Sequence, residues 1–193
     1  MPQKLVIAGL GNPGPRYAKT RHNAGFMLAD MLAESLRAGP WKIWENSGEY
    51  SRIHNEDKDV FIIKPSTYMN DSGRMVSSFC SFHKIPLNSL IVCYDDISID
   101  AGRIRIRKSG SAGGQKGMES VISALGTQEM PRVRIGIGPK PQIIDSKDFV
   151  LSAFTPQERK VFQTGLEKAA EAVKLILESG IESAMNRFNG GEQ

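Results

Sequence analysis

The chain has 193 residues, with 25 Lys or Arg against 21 Asp or Glu and a net charge of +4. At roughly 150 residues per domain this length favours one compact domain, and 40% hydrophobic with 24% charged residues excludes a disordered or fibrous chain. No run approaches the ~18 consecutive apolar residues of a membrane helix, and the apolar stretch 5–10 is too short for a signal-peptide core, so the expected location is the cytoplasm.

Lys4-Leu5-Val6-Ile7-Ala8 is a short apolar run closed by Gly9 and reads as a buried strand. A Gly/Pro/Asn loop follows as far as Pro15. Residues 24–38 carry apolar side chains at helical spacing, Phe26 through Leu36, and Gly39-Pro40 stops them. Residues 49–53 and 60–64 read as two strands joined by a polar loop. Residues 70–83 predict a helix with Val76, Phe79, Cys80 and Phe82 inward, and 89–94 a second buried strand. Residues 103–107 alternate strictly and read as a strand, 117–125 as a helix stopped by Gly126, and 132–137 as a strand stopped by Gly138-Pro139. Thr155-Pro156-Gln157-Glu158 starts a helix, with Thr155 as N-cap, Pro156 in the first position and Glu158 completing a capping box. That helix runs to about residue 179, and Gly180 separates a last short one, 181–187.

Strands alternating with helices predict an α/β fold: a single domain over residues 1–193, with a central mixed, mostly parallel twisted sheet and helices on both faces. Ligands of such folds bind outside the carboxyl ends of strands. Two loops sit there, residues 9–14 and Asp95-Asp96 after Tyr94. Cys80 and Cys93 lie in apolar stretches and read as buried free thiols, and no metal-ligand spacing exists.

Gly9-Leu10-Gly11-Asn12-Pro13-Gly14 fits the dinucleotide pattern G-x-G-x-x-G. Pro13 and Pro15 flank the third glycine, however, and the helix is delayed to residue 24, so no helix N-terminus faces a pyrophosphate. The loop reads better as a turn that aims Asn12 into a pocket. His22, in Thr20-Arg21-His22-Asn23, is the side chain suited to take a proton near neutral pH. His54, in a polar loop, and His83, at a helix end facing the terminal carbonyls, read as surface or structural residues. A carboxylate from Asp95-Asp96 would fix the tautomer of His22 and stabilise its protonated form. No Ser or Cys nucleophile motif accompanies them, which leaves water as the nucleophile. Asn70 or Ser72 is either a helix cap or, for Asn70, a carboxamide facing the pocket.

Arg103, Arg105 and Arg107 share one face of their strand, and Lys116, Arg132 and Arg134 extend the patch. It is either a solvated edge strand or a footprint for a phosphate backbone. The intervening loop 109–114 is rich in Gly and Ser and suited to close over a substrate.

Together these segments resemble the bacterial-type peptidyl-tRNA hydrolase family. The resemblance is carried by residues 5–14, Tyr17, Thr20-Arg21-His22-Asn23-Ala24-Gly25, Pro65-Ser66-Thr67-Tyr68-Met69-Asn70-Asp71-Ser72-Gly73, Asp95-Asp96, residues 132–138 and Asp148-Phe149-Val150-Leu151. It implies a monomeric α/β enzyme without a cofactor or metal. Its substrate is peptidyl-tRNA, recognised at the acceptor stem and 3′ end and cleaved at the ester between peptide and ribose, which recycles tRNA for translation. By position, the resemblance makes His22 the general base, Asp95 its support and Asn12 a selector of N-blocked peptides. Asn70 then binds the peptide and touches the histidine, Tyr17 and Tyr68 line the substrate, and Arg105 and Arg134 clamp a stem phosphate. One departure stands out: Gly113-Gly114-Gln115-Lys116-Gly117 replaces the usual Gly-Gly-His-Asn-Gly. Lys116 cannot accept a hydrogen bond. It opposes protonation of His22 if it points inward and binds substrate phosphates if it points outward. The alternative reading is a catalytically weakened, RNA-binding member of the same family.

Overall fold

The computed structural model describes residues 2–190. Among them lie the strands β1 (Gln3–Gly9), β2 (Lys42–Trp44), β3 (Gly48–His54), β4 (Lys58–Pro65), β5 (Leu90–Asp100), β6 (Ile104–Arg107) and β7 (Arg132–Gly138), and the helices α1 (Ala24–Ser35), α2 (Ser72–His83), α3 (Lys116–Leu125), α4 (Ser146–Leu151), α5 (Pro156–Ser179) and α6 (Ile181–Phe188). The strands form one sheet in the order β2-β3-β4-β1-β5-β7-β6. Its centre, β4-β1-β5-β7, is parallel, and the outer pairs β2–β3, β3–β4 and β6–β7 are antiparallel. The mixed, mostly parallel sheet of the expectation is therefore observed.

The apolar run of β1 follows from burial on both faces. Leu5 and Ile7 point into a core built with Ala29 and Leu32 of α1 and Val173 of α5. Val6 and Ala8 point the other way, into a core with Val76 and Phe79 of α2 and Val121 of α3. Helices thus cover both faces. Cys80 and Cys93 are free and buried, and burial pushes both thiols up to about 12. The long helix α5 starts as its sequence predicts: Thr155 accepts from the Glu158 N–H and Glu158 accepts from the Thr155 N–H.

Several elements depart from expectation. β2 and α4 went unread: β2 has three residues, too few to show alternation, and α4 is a short turn capped by Asp145, which accepts from the Lys147 N–H at 2.8 Å. β5 runs on past Tyr94 to Asp100, with a register shift against β7 between Asp96 and Asp100. Phe82 does not face inward. It is 68% exposed at the end of α2, its ring centroid 5.0 Å from that of Trp44. His83 does not turn to the helix carbonyls either: its ring lies among Phe79, Phe61 and Trp44, with centroids 4.4, 4.6 and 5.3 Å away. Arg132 is not part of a surface patch. It is 1% exposed and donates to the carbonyls of Gly110, Ser111, Gln128 and Met130. The start of loop 109–114 is thereby tied down, and the consecutive positive φ angles of Gly113 (60°) and Gly114 (83°) turn the rest toward α3.

β6 is the sheet edge, and the chain's own C-terminal segment covers it. The Asn189 carboxamide accepts from the Ile106 N–H at 2.9 Å and donates to the Ile106 carbonyl at 2.8 Å. This side chain supplies the rung that a further strand would supply.

β1 connects through α1 and the antiparallel strands to β4 on one side, and the chain then crosses by α2 to β5 on the other side of β1. The carboxyl ends of β1 and β5 therefore open a crevice where the strand order reverses. Gly25 lets α1 settle there. A Cβ on it would lie 2.4 Å from both the Cys93 carbonyl oxygen and the Leu10 nitrogen. Only hydrogen fits, and the residues just before α1 come to rest over Cys93, where the pairing of β1 with β5 ends.

Candidate active site

The crevice is a cleft of about 630 Å³ walled by Asn12, His22, Asn70 and Asp95, by Gly113 to Lys116 on one side and by α4 on the other. Period two explains why Asp95 meets His22. Ile91, Cys93 and Asp95 point to the same face of β5, the face that α1 covers. His22 sits in a 3₁₀ turn, Arg21–Asn23, that leads directly into α1. His22 Nδ1 lies 2.8 Å from Asp95 Oδ2, and Asp95 is 1% exposed. An ionised carboxylate only accepts, so the imidazole places its proton on Nδ1 and keeps the lone pair on Nε2.

Both neighbours of His22 are buried anchors that the sequence did not single out. Arg21 donates two bonds to the Glu158 carboxylate, at 2.8 and 2.9 Å, and one to Ser152 Oγ at 3.1 Å. Its guanidinium stacks over Phe149 and Phe154, 4.4 and 4.5 Å from their centroids. Burial pushes the Glu158 carboxyl up, but the Thr155 N–H and the Arg21 guanidinium outweigh it and hold it below the usual range. On the other side, the Asn23 carboxamide accepts from the Asn12 N–H and donates to the Asn12 carbonyl, both at 2.9 Å. The histidine turn is thus fastened to α5 and to the glycine loop at once. The one clue in the sequence was Glu158, whose capping role places it at a fixed point on α5.

The turn after β1 does aim Asn12 into the cleft. Its Oδ1 accepts from the Met69 N–H at 2.7 Å, so Nδ2 is the donor left for a ligand. Asn70 is exposed on the cleft wall, and its side chain makes no hydrogen bond to His22. Neither Asn70 nor Ser72 caps α2: Ser72 Oγ instead donates to the Met69 carbonyl at 2.9 Å. Tyr68, just before Asn70, has φ 61° and ψ 158°. For a bulky residue that backbone costs about 1–3 kcal/mol and marks a site where position outranks comfort. Its ring meets Tyr17 edge to face at 6.5 Å, and the pair stands beside the cleft rather than on its wall.

Lys116 points outward, at the cleft mouth, and its ammonium pairs with Glu119 at 3.0 Å. Gln115, its neighbour, points inward: Nε2 donates to Asp95 Oδ1 at 2.9 Å. Arg134 lies one residue behind the wall, its Nε donating to Asp96 Oδ2 at 2.6 Å. Arg105 Nη1 donates to the Asn189 carbonyl at 3.0 Å. Among the described residues no group of three or more His, Cys, Asp or Glu side chains is placed to hold a metal ion, and no helix is long and apolar enough to cross a membrane. The arrangement offers one oriented base, amide donors around it and a basic margin.

A family model described as peptidyl-tRNA hydrolase matches residues 6–193. A peptidyl-tRNA hydrolase of Elusimicrobium minutum is 50% identical over 184 residues, covering 95% of this chain and 98% of that protein. One of Fervidobacterium nodosum is 46% identical, covering 97% of each. The crystal structure of peptidyl-tRNA hydrolase from Acinetobacter baumannii superposes with a TM-score of 0.90 at 32% identity, covering 97% of this chain and 95% of that one.

Proposed function

The chain belongs to the peptidyl-tRNA hydrolase family, and we propose that it hydrolyses the ester joining a peptide to the 3′ ribose of tRNA, with His22 as general base. The observation that carries this reading is the 2.8 Å contact between His22 Nδ1 and Asp95 Oδ2 at the floor of the cleft. Asp95 holds the imidazole and balances the charge it acquires. Nε2 takes a proton from water, and the water oxygen bonds to the ester carbonyl carbon. When the tetrahedral intermediate collapses, the bond to the ribose oxygen breaks and the imidazolium returns its proton to that oxygen. Asn12 Nδ2 and the Asn70 carboxamide orient the peptide, and an amide of the Gly113–Gly114 segment stabilises the oxyanion. An ester is reactive enough that orientation and one base suffice.

Arg105 and Arg134 bind a phosphate of the acceptor stem, and Tyr17 and Tyr68 take the 3′ end beside the cleft. The enzyme works as a cytoplasmic monomer. Lys116, turned to Glu119, adds charge at the mouth of the cleft rather than beside His22, which favours hydrolysis over RNA binding alone.

The test is hydrolysis of N-acetyl-aminoacyl-tRNA beside its free-amine counterpart. The expected result is selective cleavage of the blocked ester, with His22→Ala removing most turnover while tRNA still binds. Unchanged turnover in that variant refutes the reading.

A further inference from the structure

The carboxylate that supports His22 has two oxygens, and only one of them faces the imidazole. The other, Oδ1, accepts from Gln115 Nε2 at 2.9 Å. The Gln115 carbonyl oxygen in turn accepts from the Met118 N–H at 2.6 Å and so caps α3. The orientation of this carboxamide is forced from both ends. A backbone N–H only donates, and an ionised carboxylate only accepts, so oxygen must face Met118 and nitrogen must face Asp95.

We infer that Gln115 is a positioning residue for catalysis: it locks the rotation of the Asp95 carboxylate with a neutral donor, so that Oδ2 stays aimed at His22 Nδ1. The inference rests on the hydrolase reading above. Asp95 is buried, and the bonds from His22 and Gln115 are the two that reach its side chain among the described residues. Without Gln115, Oδ1 would be an unmet acceptor on a side chain that is only 2% exposed, and the carboxylate could turn. A cationic donor there would compete with the imidazolium for the same charge. A carboxamide does neither, because it carries no titrating proton. The remaining charges around the site are paired or stand at its margin: Asp96 pairs with Arg134 and Lys116 with Glu119, while Asp145 and Lys147 stand on the α4 side of the cleft.

Three variants of Gln115 test this on N-acetyl-aminoacyl-tRNA. Gln115→Glu keeps an oxygen for Met118 and sets a second carboxylate against Asp95. The expected result is a kcat lowered about 10- to 100-fold with KM changed less than about threefold, and an acid limb of the kcat profile moved to higher pH, because the added negative charge favours the imidazolium. Gln115→Met, similar in length but without a donor, lowers kcat without that pH displacement. Gln115→His restores an N–H donor and recovers a larger share of kcat than either. Wild-type kcat and pH profile in Gln115→Glu overturn the inference. So does a kcat loss in Gln115→Glu and Gln115→Met that only tracks lost tRNA binding and lost melting temperature, which would leave Gln115 a helix cap and nothing more. Gln115→Glu, which keeps the cap, decides alone if Gln115→Met does not fold. His22→Ala runs in parallel: hydrolysis that survives it sinks the functional reading itself, a failure distinct from that of Gln115.

Discussion

Arg105 on β6 and Arg134 on β7 stand directly opposite each other in the sheet. Like charges so placed repel. Each is met by a different partner: Arg134 by the Asp96 carboxylate, Arg105 by the Asn189 carbonyl oxygen. Neither contact fills a guanidinium fork, so both keep donors for a bridging anion. Arg105→Gln and Arg134→Gln are each expected to weaken tRNA binding and to reduce the slope of log K against log salt by about 1, while kcat at saturating substrate changes little. Titrations at several salt concentrations check this. Slopes equal to the wild type's would remove both residues from the nucleic-acid contact.

The anchor beside His22 is open to a stability measurement. Arg21 is 6% exposed in its side chain and Glu158 40%. Water can take over the glutamate but not the space around the arginine. Arg21→Met keeps the stem on Phe149 and Phe154 and removes the charge and its donors. A loss of about 1–2 kcal/mol is expected after allowing for the exposure of Glu158, a fall in Tm of roughly 2–8 °C for a chain of this size. Glu158→Gln added to Arg21→Met should cost less than the two single changes summed. Strict additivity would show that the pair is not coupled.

His83 gives the fold a pH dependence of its own. Its Nε2 is buried without a hydrogen-bond partner among the described residues. Burial, then the charge of Lys4, holds its pKa below the usual 6.5. The unfolded chain therefore takes up a proton as the pH drops through 6.5 while the folded chain does not. Stability is full above that value and declines as the pH falls toward the folded-state pKa. Urea melts between about pH 7 and pH 5 should show a falling midpoint, and His83→Leu should flatten the curve. A slope that survives the substitution assigns the effect to other groups.

Much of the architecture could be read from local pattern alone. The capping box at Thr155, the glycine stop at 126 and the both-sided burial of β1 are consequences of nearest neighbours in sequence, and the structure repeats them. The meeting of His22 with Asp95 was legible because the loop after β1 leads to the crevice beside β5 and Asp95 follows the apolar run of that strand. Alternation, by contrast, tells which way a side chain points and not what lies above it. Arg132 alternates like its neighbours Arg103 to Arg107, yet it is sealed under loop carbonyls. Phe82 keeps helical phase with Phe79 but sits where α2 runs past its cover. Arg21, Asn23 and Gln115 owe their roles to partners that are distant in the chain or on another element, such as Glu158 137 positions away, and no spacing rule reaches that far.

Asn189 follows α6, and its carboxamide meets both backbone groups of Ile106 on the outer side of β6. A chain cut just ahead of it would keep its catalytic groups and its core, yet present a bare backbone rung to every extended peptide in solution. Loss of Asn189 would first be felt as self-association, with the missing rung borrowed from another molecule.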